Sequence, residues 1–98
     1  MFTGLPSRFA GEKILVADDE RAIVDLTTFF LRDRGFEVLM AGDGQECVQI
    51  VEQEHPALIL LDYMMPVMDG LTALKQIREK HPDTHVIMLT GKGSEEVA

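Results

Sequence analysis

The feature that most constrains this chain is a run of four aliphatic residues that ends on a carboxylate. Residues 58–61 read Leu-Ile-Leu-Leu, and Asp62 follows them directly. A short, unbroken apolar run is typical of a central strand that is covered on both faces, as parallel strands are. Ligands bind at the carboxyl ends of such strands, so Asp62 is the first candidate functional residue. The competing interpretation is that Asp62 only caps the turn after the strand.

A second predicted strand also ends on acidic residues. Lys13-Ile14-Leu15-Val16-Ala17 leads directly into Asp18 and Asp19. If the two strands are neighbours in one sheet, three carboxylates meet at its edge.

The rest of the chain alternates between strand and helix patterns. Further strands are predicted at 37–41 and 86–89, with a predicted helix before each later strand. The order β-α-β-α-β-α-β with short connections predicts a parallel sheet with right-handed crossovers. The residues predicted to face inward are Ile23, Leu26, Thr27, Phe30 and Leu31 in the first helix, Cys47, Val48, Ile50 and Val51 in the second, and Leu71, Leu74 and Ile77 in the third. Asp43 and Asp69 are the predicted N-caps of the second and third helices.

Length and composition limit the classes of protein to which this chain can belong. The 98 residues fit one domain, with residues 1–12 as a flexible N-terminal lead and 13–98 as the folded unit. No apolar run is long enough to span a membrane, and no signal peptide opens the chain, so we expect a cytoplasmic protein. A net charge of −8 disfavours direct nucleic-acid binding by this segment and suits a cation or a basic partner surface. Cys47 is the only cysteine, which excludes an intramolecular disulfide.

Three strand ends are expected to converge on one shallow pocket. In the flavodoxin-like order 2-1-3-4, the first, third and fourth strands are neighbours, and they end on Asp18-Asp19, Asp62 and Thr90. Clustered carboxylates repel each other unless a cation lies among them, and oxygen ligands favour Mg²⁺. The Thr90 hydroxyl beside such a site could hydrogen-bond a phosphoryl oxygen. The chemistry indicated is phosphoryl transfer onto a carboxylate.

These residues resemble a known family. The Asp18-Asp19 pair, the run from Leu61 to Gly70 (Leu-Asp-Tyr-Met-Met-Pro-Val-Met-Asp-Gly) and Thr90 after the fourth strand are similar to a response-regulator receiver domain of two-component signalling. The resemblance extends from Lys13 to the C-terminus. It implies an α/β fold, a flavodoxin-like (CheY-like) three-layer sandwich with about four strands here.

The resemblance also implies a role for each matching residue. Asp62 would accept a phosphoryl group from the phosphohistidine of a sensor histidine kinase or a phosphotransfer protein, so the chain would be a phosphoacceptor and not an enzyme. Asp19 and Asp62 would bind Mg²⁺ directly, Asp18 would act largely through water, and the backbone carbonyl of Met64 would be a further ligand. Thr90 would be the switch hydroxyl. Pro66 and Gly70 would shape the loop beyond the site.

The family pattern continues beyond residue 98. Receiver domains carry a fifth strand ending in a lysine, an aromatic switch residue on that strand and a last helix; Lys92 lies in the loop after the fourth strand and does not match that lysine. We therefore expect a C-terminally truncated receiver that binds Mg²⁺ but is impaired in phosphorylation and switching. The fourth strand would be an exposed edge and Phe29 or Phe30 partly uncovered, which suggests a homodimer through that edge or through element exchange.

Two alternatives come from other classes. A phosphohydrolase of the haloacid-dehalogenase type also uses an aspartate nucleophile after a strand, but it needs a second Asp two positions on, where this chain has Met64. The second alternative is a receiver-like interaction or dimerisation module without phosphotransfer. The three histidines, His55, His81 and His85, show no metal-ligand spacing and are predicted to lie at the surface.

Overall fold

The computed structural model describes residues 11–89. The predicted N-terminal lead up to residue 10, Thr90 and Lys92 lie outside the described residues. Seven elements alternate along the described chain: β1 (Lys13–Ala17), α1 (Arg21–Asp33), β2 (Glu37–Ala41), α2 (Gly44–Glu54), β3 (Leu58–Asp62), α3 (Gly70–Lys80) and β4 (His85–Leu89).

The four strands form one parallel sheet. Its order is β2-β1-β3-β4. In β1, Leu15 is level with Leu39 of β2 and with Ile59 of β3, and the last residue of β3, Asp62, is level with Leu89 of β4. The predicted flavodoxin-like fold and strand order are therefore confirmed, and β3 includes Asp62 itself.

The apolar core is divided between the two faces of the sheet. Alternate residues of each strand point to opposite faces, so Ile14 and Val16 of β1 pack beneath α1, whereas Leu15 and Ala17 pack on the side of α2 and α3. The cluster on the α1 side contains Ile14, Val16, Val24, Leu31, Phe36, Val38, Leu58 and Leu60. The cluster on the other side contains Leu15, Ala17, Ala41, Cys47, Val51, Ile59, Leu61, Ala73 and Ile77. The domain thus has three layers.

The helix ends follow local sequence signals. Asp43 and Asp69 cap α2 and α3 as predicted, accepting hydrogen bonds from the backbone N–H groups of Glu46 and Thr72 at 2.8 Å. Gly35, with φ 90°, supplies the left-handed residue that follows α1. None of the described helices has both the length and the apolar character needed to cross a bilayer.

For two helices, the residues predicted to face inward are partly wrong. The residues of α1 that are buried are Val24, Thr28 and Leu31, whereas Ile23 and Leu26 are exposed. In α3, Ala73 and Ile77 are buried, but Leu71 is 41% exposed. Apolar residues surround more of α1 than one face against the sheet can bury, so the spacing alone did not identify the inner face.

Candidate functional site at the carboxyl end of the sheet

Three carboxylates meet where β1 and β3 end. One oxygen each from Asp18, Asp19 and Asp62 lies within 4.8 Å of the other two. Asp18 is only 8% exposed and Asp62 5%, while Asp19 faces solvent. The site therefore combines two desolvated acids with one that is open to water.

Asp18 is fixed by the backbone on both sides. Its N–H donates to the carbonyl of Ala41 in β2 at 3.0 Å, which extends the sheet by one residue beyond β1. Its Oδ1 accepts a hydrogen bond from the N–H of Glu20 at 2.9 Å, at the start of α1. The Asp18 side chain therefore ties the end of β1 to the start of α1, and the next residue, Asp19, is left at the open side of the cluster.

Asp62 is held by the packing of β3. All five residues of this strand are buried, and the Asp62 Oδ1 accepts one long hydrogen bond, of 3.3 Å, from the N–H of Met64. The pKa of Asp62 is raised from 3.8 to about 6, mainly because the carboxyl group is buried. The hydrogen bond from Met64 opposes this shift, whereas the neighbouring Asp18 and Asp19 add to it. The anionic form of Asp62 is thus less favourable than that of an ordinary aspartate, and a positive charge nearby would stabilise it.

The loop after β3 has a constrained backbone. The N–H of Met68 donates to the carbonyl of Pro66 at 2.7 Å around Val67, whose φ is 68°. This hydrogen bond and positive φ define a γ-turn of the rare, strained kind, which is unusual for a β-branched residue. The N–H of Tyr63 donates to the carbonyl of Leu89 at 3.0 Å, which links the start of this loop to the end of β4.

Two glycines let neighbouring backbone approach the site closely. A Cβ on Gly70 would overlap the Asp62 carbonyl oxygen, and a Cβ on Gly44 would overlap the Met68 carbonyl oxygen. The Gly44 N–H donates to that Met68 oxygen at 3.0 Å. Sequence reasoning identified Gly70 as a loop-shaping residue but missed Gly44, for which the only signal was its position after the capping Asp43.

The donor set fits a hard divalent cation. The ligand atoms that the three side chains offer are all carboxylate oxygens, the type that Mg²⁺ prefers. A cation here would also offset the repulsion among the three acids and the cost of burying Asp62. A shallow depression beside the cluster, lined by Met40, Gly42 and Glu46 among others, gives access from solvent. Thr90, the predicted switch hydroxyl, lies outside the described residues.

Comparisons with known proteins agree with one another. The family model of the response regulator receiver domain matches residues 14–98. The alkaline phosphatase synthesis transcriptional regulatory protein PhoP of Bacillus subtilis (strain 168) is 43% identical over 84 residues, which are 86% of this chain and 35% of PhoP. The chain therefore spans about a third of the length of that relative.

Solved structures show the same architecture. The receiver domain of the Francisella response regulator 1452 superposes with a TM-score of 0.76 at 30% identity, covering 87% of this chain and 74% of that one. A chain of the CheX-CheY-BeF3-Mg+2 complex from Borrelia burgdorferi superposes with a TM-score of 0.81 at 31% identity, covering 88% and 66%. With the family model matching most of its length and the acidic cluster at the carboxyl end of its sheet, this chain belongs to the response regulator receiver domain family.

Proposed function

We propose that the domain is the phosphoacceptor of a two-component system and takes a phosphoryl group onto Asp62 with the help of Mg²⁺. The observation that carries the proposal is the burial of Asp62 within 4.8 Å of two further carboxylates. Such an arrangement is unfavourable for anions alone and becomes favourable with a bound cation.

In this proposal each acid has its own task. Asp19 and Asp62 would hold Mg²⁺ directly, together with the carbonyl oxygen of Met64. Asp18 acts mainly through water, since one of its oxygens already accepts from the Glu20 N–H. Bound Mg²⁺ reduces the repulsion between two anionic reactants and stabilises charge on the transferring group.

The transfer step takes place at the carboxylate of Asp62. An Asp62 carboxylate oxygen attacks the phosphorus of a phosphohistidine, the N–P bond of that histidine breaks, and an acyl phosphate forms on Asp62. The packing of β3 holds the nucleophile in place, and Thr90 would hydrogen-bond the new phosphoryl group. Turnover of a small substrate is not part of this role, so the domain acts as a regulator and not as an enzyme.

The partner that fits this chemistry is a sensor histidine kinase or a phosphotransfer protein, and we place the domain in the cytoplasm with it. The similar CheX-CheY-BeF3-Mg+2 complex from Borrelia burgdorferi contains both Mg and BeF3, which supports the ligand assignment. The net charge of −8 argues against direct nucleic-acid binding by this segment. We propose that residues 13–98 form the receiver domain and that residues 1–12 are an N-terminal segment that precedes it.

The experiment is a Mg²⁺ titration followed by beryllofluoride, a mimic of the phosphoryl group. Tyr63 is the only tyrosine and there is no tryptophan, so its fluorescence reports on the residue next to Asp62. A saturable Mg²⁺ response is expected in the wild type and in the matched control Asp83→Asn, which changes an exposed acid in the α3–β4 loop. The response is expected to be lost in Asp62→Asn. An unchanged response in Asp62→Asn would contradict the proposed ligand set.

For a polypeptide of these 98 residues, we propose a Mg²⁺ response without a beryllofluoride response. The family lysine that pairs with the phosphoryl group has no match among these residues. A full response to both would show that this lysine is dispensable or supplied by another chain. No response to either would favour the interaction-module alternative.

A second candidate role, homodimerisation, is favoured by exposed apolar side chains. Among the described strands β4 pairs only with β3, and its Ile87 is 44% exposed. On α1, Ile23, Leu26 and Phe29 are also exposed, and Phe29 was one of the two residues predicted to be uncovered. A second copy could pair along the same edge or exchange an element. Light scattering at high concentration is expected to show a dimer that Ile87→Lys dissociates; a monomer throughout would contradict it.

A further inference from the structure

An open groove lies between α1 and β2, the strand at one edge of the described sheet. Its volume is about 500 Å³, and its lining includes Asp25, Phe29 and Asp33 of α1 and Met40 of β2. The side chain of Phe29 is 65% exposed and that of Met40 is 39% exposed. The described residues therefore leave a partly apolar groove without a cover over these two side chains.

The charged groups of the groove lie along the same side of α1 as Phe29. Arg21, Asp25 and Phe29 follow one another at intervals of four residues, which places them on one side of the helix, and Asp33 continues the row. Arg21 pairs with Asp25 at 3.0 Å. Asp33 forms no ion pair with another described residue. An occupant that brings apolar side chains and a positive charge would therefore fit the groove at its Asp33 end.

The first ten residues of this sequence have that composition. They include the apolar residues Phe2, Leu5 and Phe9, and their only charged side chain is that of Arg8. All seventeen acidic residues come later in the chain. In polarity and charge, this segment complements the groove.

The segment joins the described chain beside the Asp33 end of the groove. Glu12, the second described residue, accepts a hydrogen bond on its carbonyl from the N–H of Glu37 at 3.1 Å, where β2 begins. The preceding residue, Phe36, donates its N–H to the carbonyl of Leu31 at 3.2 Å, in the last turn of α1. The chain thus enters β1 close to the end of α1 that carries Asp33.

The segment is also long enough for the groove. Ten extended residues span at most about 33–36 Å. The rise of α1 from Asp33 back to Arg21 is about 18 Å. A segment that leaves β1 at Gly11 can therefore pass along the whole groove.

We propose that residues 1–10 dock in the groove between α1 and β2, with their apolar side chains against Phe29 and Met40 and with Arg8 beside Asp33. The occupant is thus a segment of the same chain. Docking would remove the exposed surface of Phe29 from water and pair the charge of Asp33. It does not depend on phosphorylation of Asp62.

The test is paramagnetic relaxation enhancement, read from amide NMR of the full chain with a nitroxide attached at Ser7→Cys. Cys47 is buried, and burial raises the pKa of its thiol to about 12, so the nitroxide reagent should react at residue 7 alone. The amide signals of Phe29, Asp33 and Met40 are expected to lose most of their intensity. The signal of Lys75, in α3 on the opposite face of the sheet, should keep its intensity.

The variant Phe29→Ser removes the main apolar contact, and the signals of Asp33 and Met40 should then recover. The matched control is Leu71→Ser, which changes an exposed apolar residue of α3 and should leave the signal loss as it is in the wild type. Both side chains are exposed, so both variants should fold. In a mixture of isotope-labelled chains and separate nitroxide-labelled chains, no loss of signal is expected.

Three results would overturn the proposal. The first is full intensity at Phe29, Asp33 and Met40 in the nitroxide-labelled chain. The second is an unchanged loss of signal in Phe29→Ser. The third is loss of the same signals in the mixture, which would show that the segment of a second copy fills the groove.

Discussion

The two strands β3 and β4 are neighbours in the sheet but differ sharply in packing. Every residue of β3 is buried, whereas every residue of β4 is partly or fully exposed. β3 has a strand on each side and an apolar cluster on each face, while β4 pairs only with β3 among the described strands. Asp62, the proposed phosphoacceptor, therefore stands on the best-packed strand of the sheet.

The close packing of β3 explains how the Asp62 carboxylate is kept in place although its charge is unfavourable there. The pKa of Asp62 is raised because the carboxylate is buried beside other acids, so the site itself opposes folding at neutral pH. The apolar burial of residues 58–61 offsets that cost and leaves Asp62 little freedom to move away. A loosely packed strand such as β4 could not hold a repelled carboxylate as firmly.

The largest expected effect comes from truncating an aliphatic side chain in β3. Ile59 is fully buried, so Ile59→Ala should lower the free energy of unfolding by about 2–5 kcal/mol through lost burial and a residual cavity. The matched change in β4, Ile87→Ala, should cost less than about 1 kcal/mol because Ile87 is already half in water. Urea unfolding measures both. Similar losses in the two variants would contradict the contrast between the strands.

Replacing the Asp62 carboxylate should change the free energy of unfolding in the opposite direction. Without Mg²⁺ at neutral pH, Asp62→Asn should raise the free energy of unfolding by up to about 3 kcal/mol, since a pKa of about 6 lies above the usual 3.8. The folded state binds the extra proton between about pH 4 and 6, so wild-type stability falls as pH rises through that window. The difference between the variants should vanish below about pH 4. Urea unfolding at several pH values checks this, and a pH-independent difference would argue against it.

The substitution Gly70→Ala should disturb the end of β3 directly. The added Cβ overlaps the Asp62 carbonyl oxygen, so the backbone must shift, at a cost of about 1–3 kcal/mol. Mg²⁺ affinity should fall with it. Gly42→Ala is the control, because its Cβ would make only an ordinary contact of 3.8 Å with the Glu46 side chain. Equal stability of the two variants would show that Gly70 is not required there.

The smallest expected effect is the loss of a helix cap on the face that covers β3. Asp43→Ala removes the acceptor for the Glu46 N–H and should cost about 1 kcal/mol. The control Gln45→Ala changes an exposed residue in the first turn of α2, and it should be close to neutral. Thermal unfolding distinguishes them. A neutral Asp43→Ala would mean that the first turn of α2 is held mainly by Gly44 and Met68.

Local signals in the sequence predicted the framework well. The strand pattern, the caps at Asp43 and Asp69 and the acids at the strand ends all depend on near neighbours in the chain, and the order of a parallel sheet follows from few rules. Asp62 was identified because a carboxylate after four aliphatic residues breaks a simple pattern.

What the sequence could not predict depends on contacts between distant residues. The inner face of α1 was misjudged because its apolar residues cover several sides, and only packing selects Val24, Thr28 and Leu31. The approach of His55 to His81 arises from how α2 and α3 lie together, with no signal in spacing along the chain. The positive φ of Val67 likewise contradicts the preference of a β-branched residue.

The most direct test of the account is the Mg²⁺ dependence of unfolding for the wild type and Asp62→Asn at pH 7.5. Without Mg²⁺, Asp62→Asn should be the more stable. With Mg²⁺ at 100 times its dissociation constant, the wild type should gain about 2.7 kcal/mol and the variant much less, so their difference should shrink or reverse. If Mg²⁺ stabilises both equally, or neither, the claim that a cation relieves the buried charge of Asp62 is contradicted.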